Sequence, residues 1–386
     1  MRQLVMLVLC ASAASAQEPR PLPFRGSGER LPQGFTSVSA VTPLPDGRVV
    51  VVDAAERTVS VGDFPAKLVH VISRRGSGPL EYLQPRRVFS LANGETLVSD
   101  PANARFLRLS ADGRALGPWQ AVSGPGQQRS MENLSATWDA RAIDKDDRLY
   151  FELLPSPLKP GASATVPIVR LDPARGRADT VARYALESEM QTQSATSGGR
   201  GTAIIRPRAW PARPEWVVSS SGTVVIINAA PYRVSFINNG QRLDGPPIVV
   251  TPLRVTDADR SAFSEAVQRQ PRGPSSPGPQ PPRPAGAPPP TRKQGGAPIF
   301  PETFPPFSGR DAVHLAPSGR VWVSRSLHAT DSVQVVDVFD TDGRLIERIA
   351  LPPSRRLLAI GADFVYLAFR DMDDLEFVER YSTRAR

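Results

Sequence analysis

The feature that most constrains this chain is a turn joined to a short strand, repeated six times along the sequence. The copies are LPDGRVVVVD at 44–53, LANGETLVSD at 91–100, DKDDRLYFEL at 144–153, SSSGTVVIIN at 219–228, APSGRVWVSR at 316–325 and AIGADFVYLA at 359–368. Each couples a Gly or Asp turn to a β-branched or aromatic run, the pattern of an antiparallel hairpin. The 41 prolines point the same way, because a proline inside a helix costs about 3 kcal/mol and so many of them disfavour an all-helical protein.

The marker residues Gly47, Gly94, Asp147, Gly222, Gly319 and Gly361 lie 47, 53, 75, 97 and 42 positions apart. The short intervals match the roughly 40–50 residues of a four-stranded propeller blade. The long ones contain insertions: a Ser/Thr/Gly-rich, low-complexity stretch at 189–208, then a helix expected over Asp257–Gln270 running into a Pro-rich segment at 271–308 that is expected to be disordered. A length of 386 residues would by itself imply two or three domains, but the repeat implies one. The expected fold is an all-β, six-bladed β-propeller over residues 17–386. A second turn in most units, such as LSADGRAL at 109–116 and VFDTDGRLIERI at 338–349, leads to an outermost fourth strand. The sixth unit has no such turn, so the segment between Pro21 and Ser37 is expected to supply its missing strand and close the ring.

Two stretches carry a family resemblance. VSDPANARFLRLSADG at 98–113 resembles the NHL-type repeat, in which an aspartate, an asparagine and an arginine follow a strand and precede a turn glycine. VISRRGSGPLEYLQP at 71–85 is similar to the G-x-G-P-x-E-[FY] segment of exported bacterial six-bladed β-propeller proteins with NHL- or TolB-like repeats. The resemblance implies fold and export and says nothing of chemistry.

Residues 1–16 read as a signal peptide: Arg2, an apolar core from Leu4 to Ala11, and the exit Ala14-Ser15-Ala16, with cleavage before Gln17. The expected location is periplasmic or secreted. The single cysteine, Cys10, falls inside that leader, which removes disulfides, thiolate catalysis and cysteine metal sites from the mature chain. No later apolar run approaches the ~20 residues of a transmembrane segment. The formal charge of +9 could suggest nucleic acid, but the arginines are spread along the chain and the leader directs it away from DNA. Nucleic acid is therefore not an expected partner, whereas a protein or an anionic saccharide is. The oligomeric state is left open.

The catalytic motifs are thin. Gly76-Ser77-Gly78-Pro79 lacks the lysine and helix of a phosphate cradle, and no G-x-S-x-G elbow is present. A zinc centre would have to draw on His70, His314 and His328, expected on an outermost strand, an innermost strand and a loop respectively. Calcium through Asp371, Asp373, Asp374 and Glu376 suits hard carboxylates better, although no cofactor is expected. Arginines recur instead at the two kinds of loop that share one propeller face. Arg86, Arg87, Arg208, Arg310, Arg355 and Arg356 precede inner strands, and Arg57, Arg105, Arg233, Arg325 and Arg370 lie by the loops between second and third strands. The expected function is noncatalytic binding of a protein, saccharide or other anionic ligand through this face, with Arg86, Arg87, Arg310, Arg355 and Arg356 as ligand-binding residues. The alternative is a metal-dependent lactonase or lyase with its site on the propeller axis.

Overall fold

The computed structural model describes residues 19–21, 28–119, 139–155, 158–197, 200–269 and 297–383, with backbone alone at 193–197, 200–204, 269 and 310. The expected signal peptide and most of the Pro-rich segment lie outside the described residues.

Those residues form a six-bladed β-propeller. Blade one is built from Val38–Pro43, Val49–Asp53, Thr58–Asp63 and Leu68–Val71, in that order from the axis outward. Blades two to five repeat the plan, with inner strands Val88–Ser90, Ala142–Ile143, Glu215–Val218 and Val313–Leu315. Blade six has three strands from the C-terminal end, Arg355–Ile360, Phe364–Arg370 and Glu376–Ser382, and its outermost strand is Glu29–Arg30. The closure expected from the sequence is thus present. It is continued by Leu31, whose amide donates to the Val378 carbonyl at 3.0 Å, and by reciprocal Phe35 and Glu376 amide bonds at 2.8 and 2.7 Å. Arg20–Pro21 adds a parallel fifth strand to the edge of blade five.

The repeat folds this way because each sheet is covered on both faces. In Val49-Val50-Val51-Val52, alternate side chains point to opposite faces of the sheet. Val49 and Val51 pack with Tyr366 and Val378 of blade six, and Val50 and Val52 pack with Val98 and Leu107 of blade two. A run apolar at every position is what a strand buried on both sides requires. Similar clusters fill the other junctions, such as Trp216 against Tyr150 and Trp322 against Leu367. The turns demand left-handed backbone: Gly47 sits at φ +86°, and Asp147 takes the equivalent place at φ +57°.

The insertions are more ordered than composition implies. The stretch expected to be low-complexity contains a long hairpin, Met190–Ser197 paired with Arg200–Pro207. The helix spans Asp257–Arg269. Its start is a reciprocal cap, in which the Thr256 amide and hydroxyl donate to Asp259 at 2.8 and 2.7 Å and the Asp259 amide returns a bond to the Thr256 hydroxyl. The disorder expected through residue 308 is corrected from residue 297 onward: Phe304 and Phe307 are buried, the Ile299 amide bonds the Pro207 carbonyl, and Phe300 and Phe304 pack on Trp210. Aromatic burial overrides proline content there.

Candidate functional site

All six inner strands line an axial cavity of about 580 Å³. Its walls mix apolar side chains, among them Val41, Phe89, Val217 and Leu358, with polar ones, and Arg86, Arg87, Arg141 and Asp311 stand where the blade connections enter. His314 lines the shaft. Its enclosure there pushes the imidazole down to about 4, despite the neighbouring Asp311, so the ring is neutral at pH 7. Its Nε2 lies 3.0 Å from the Asp311 carbonyl oxygen, which assigns the proton to that nitrogen.

The arginines on the connection face are organised around carboxylates, mostly two guanidiniums to one acid. Arg86 and Arg87 share Asp139 at 3.2 and 2.8 Å. Arg356 and Arg370 share Glu376 at 2.7 and 3.1 Å, and that buried carboxylate also accepts the Val38 amide at 2.8 Å. Arg355 and Arg30 share Glu379, and both guanidiniums lie 4.2 Å from the Phe369 ring centroid. Burial raises the two glutamates' pKa values, but the flanking arginines win and hold both below the usual carboxylate range. Adjacent residues on a strand face opposite ways, so Arg355 and Arg356 reach different carboxylates. Arg310 begins a short turn ahead of blade five, and its side chain lies outside the described residues.

A second cluster was not foreseen. Arg141 is enclosed between Glu152 and Glu215, at 3.2 and 2.7 Å, and stacks on Trp216 at 4.6 Å. Glu152 also accepts from Arg213, Tyr184 and the Trp216 indole. This group joins blades three and four and is committed to holding them. Its sequence signal is slight: Glu152 ends the second strand of its blade, one position before the place that Asp53 and Asp100 take in blades one and two.

Those two aspartates do not pair with arginines. Asp53 accepts the Thr36 and Ser37 amides at 2.7 and 3.2 Å, and Asp100 accepts those of Leu83 and Gln84 at 3.0 and 2.8 Å. Asn103 also donates to Asp100 and to the Gly76 carbonyl, while Arg105 donates to the Gly78 and Glu81 carbonyls at 2.6 and 2.8 Å. The aspartate, asparagine and arginine of 98–113 thus clamp the G-x-G-P-x-E-Y loop, and the two motif stretches are one structural unit. A Cβ at Gly76 would strike the Glu81 carboxylate, which receives the Gly78 amide at 2.8 Å. That carboxylate occupies the space a phosphate would need.

His70 and His314 lie on an outermost and an innermost strand and His328 in a loop, where its Nδ1 meets Asp259 at 2.9 Å. Asp371 folds onto its own turn, accepting the Asp373 and Leu375 amides at 2.9 and 3.0 Å. Glu376 belongs to its arginines. Among the described residues no three His, Cys, Asp or Glu side chains are grouped to hold a metal, so the calcium set read from 371–376 does not fit an ion. No helix of the described residues is long and apolar enough to cross a membrane.

No protein-family model matches the sequence, and no curated protein matches it either. Solved structures resemble it in shape at low identity. A DUF4221 member from Bacteroides vulgatus is 7% identical with a TM-score of 0.47, over 92% of this chain and 96% of that one. A Bacteroides fragilis protein provisionally described as exported is 11% identical with a TM-score of 0.46, over 96% and 97%. A gluconolactonase from Xanthomonas campestris is 12% identical with a TM-score of 0.39, over 95% and 99%.

Proposed function

We propose that this propeller is an exported, noncatalytic binding protein that takes an anionic ligand, on a protein or a saccharide, through the face carrying its blade connections. Arg86, Arg87, Arg310, Arg355 and Arg356 are the ligand-binding residues of this reading. The observation that carries it is the sharing of one carboxylate by two guanidiniums, Asp139 by Arg86 and Arg87 and Glu379 by Arg30 and Arg355. One acid orients each pair and cancels only half of its charge, so fixed positive potential remains at the rim.

The experiment is heparin binding to the purified protein across a salt series, with the double variant Arg86→Ala/Arg87→Ala. Two surface charges, Arg86 exposed and Arg87 half-buried, contribute about tenfold in affinity at low salt, and the variant should lose that factor with a shallower salt dependence. Unchanged affinity would discard the reading. The lactonase or lyase alternative needs metal donors converging on the axis, where His314 and Asp311 are the ionisable donors facing the arginines. Elemental analysis separates the two: less than one ion per chain is expected, and a stoichiometric ion together with lactone turnover would replace binding by catalysis.

A further inference from the structure

Beside the channel mouth lies a separate pocket of about 440 Å³, bordered by the two cations Arg325 and Arg356, the single acid Asp311, and Trp210, Phe304, Ser326 and Gln334. Arg325 differs from the paired arginines. Its guanidinium comes no nearer than 4.0 Å to Asp337, a buried acid already bonded to Arg348 Nε at 3.1 Å and the Tyr232 hydroxyl at 3.0 Å. The Arg325 fork is therefore charged, half-enclosed and without a hydrogen-bonded carboxylate. Arg356 commits Nε and Nη2 to Glu376 and the Val38 carbonyl, which leaves Nη1 available.

The remaining walls supply two other chemistries. Trp210 is held at φ +45°, a backbone state rarely adopted by a bulky residue, and braced by Phe263, Phe300 and Phe304 with ring centroids 5.0, 5.5 and 4.6 Å away. A strained residue kept in place by its surroundings marks a position the fold maintains for use. Gln334 donates its Nε2 to the Arg325 and Val335 carbonyls, so its Oε1 can accept. The Ser326 hydroxyl is buried with no hydrogen-bond partner among the described residues, a state that a ligand hydroxyl would relieve.

A cation with an open fork, an aromatic wall, and unpaired hydroxyl and amide oxygens match three parts of one molecule: a carboxylate, the C–H face of a ring, and ring hydroxyls. We propose that this pocket holds a uronic acid residue, a sugar ring bearing a carboxylate, with the carboxylate on Arg325 and the ring against Trp210. The inference rests on the anion-binding reading of the connection face and narrows it to one ligand class.

The test is titration of the full chain with galacturonic acid, its methyl ester and galactose, followed by calorimetry and tryptophan emission. Galacturonate should bind and shift the emission, and the ester and galactose should bind at least about tenfold more weakly, since both lack the charge-assisted fork. Arg325→Gln should reduce galacturonate affinity to the level of the ester. Ser326→Ala should cost about threefold, and Arg114→Ala on the opposite face should change nothing. Equal binding of acid and ester by the unaltered protein overturns the proposal without any variant, as does failure of galacturonate to bind. Equally tight binding of benzoate or of a peptide carboxylate would overturn the sugar assignment. Heparin binding that persists without galacturonate binding sinks this inference alone; the reverse sinks the polyanion reading of the rim alone.

Discussion

The two faces of the propeller use the same residue types to opposite effect. On the face away from the connections, Asp-Gly-Arg turns pair each arginine with the aspartate two positions earlier: Arg48 with Asp46 at 2.6 Å, Arg114 with Asp112 at 2.9 Å and Arg344 with Asp342 at 2.5 Å. These pairs are one-to-one and local. On the connection face the partners come from distant segments, as with Arg30 and Glu379, 349 residues apart, and Glu376 and Glu379 are buried beneath two guanidiniums each. Local pairs finish a turn and neutralise it. Distant pairs fasten blades together and leave charge over.

This asymmetry can be broken experimentally, starting where the effect is greatest. Glu376→Gln should cost about 2–3 kcal/mol in denaturant unfolding, because it removes the buried charged acceptor of Arg356, Arg370 and the Val38 amide. A cost no larger than that of an opposite-face substitution would abolish the distinction. Acid should expose the same site. The folded pKa of Glu376 lies below its ordinary 4.5, so its contribution is complete above that value and is lost as pH falls through the folded pKa. His314 acts over a different window, since the unfolded ring takes a proton near 6.5 and the folded ring only near 4. Stability should therefore fall as pH drops from 6.5 toward 4, and denaturant unfolding of His314→Gln at pH 7 and pH 5 should show about 2 kcal/mol less of that loss. The smallest effect belongs to the local pairs: Asp46→Asn should cost no more than about 1 kcal/mol, as exposed ion pairs do.

What the sequence makes legible follows the same division. Turn glycines, apolar strands and the missing outer strand of blade six are local patterns, and they lead to the blade plan and its closure. The helix cap at Thr256 and Asp259 is local too. The helix's inward side is not: Phe263 docks on Trp210 and Phe300, distant in the chain, while Ala266 and Val267 are exposed. The hairpin at 190–207 is not legible because its Ser, Thr and Gly residues carry no apolar alternation, although the two strands pair along their whole length. The arginines were legible as a set and their partners were not. Glu376 looks like one of four clustered acids at 371–376 until the ring brings Arg356 and Val38 against it. The open fork of Arg325 is equally invisible in sequence, since it depends on Asp337 being satisfied by Arg348 and Tyr232 of two blades.

The sealing of blade six also sets a timetable. Glu29 meets Arg380 across 351 residues, and contacts so far apart form slowly because the intervening chain must first be gathered in. Synthesis proceeds from the amino end, so the strand at Glu29–Arg30 exists long before the sheet edge it completes. The piece that finishes the ring is made before the blades it joins and waits for the last of them to find its partner.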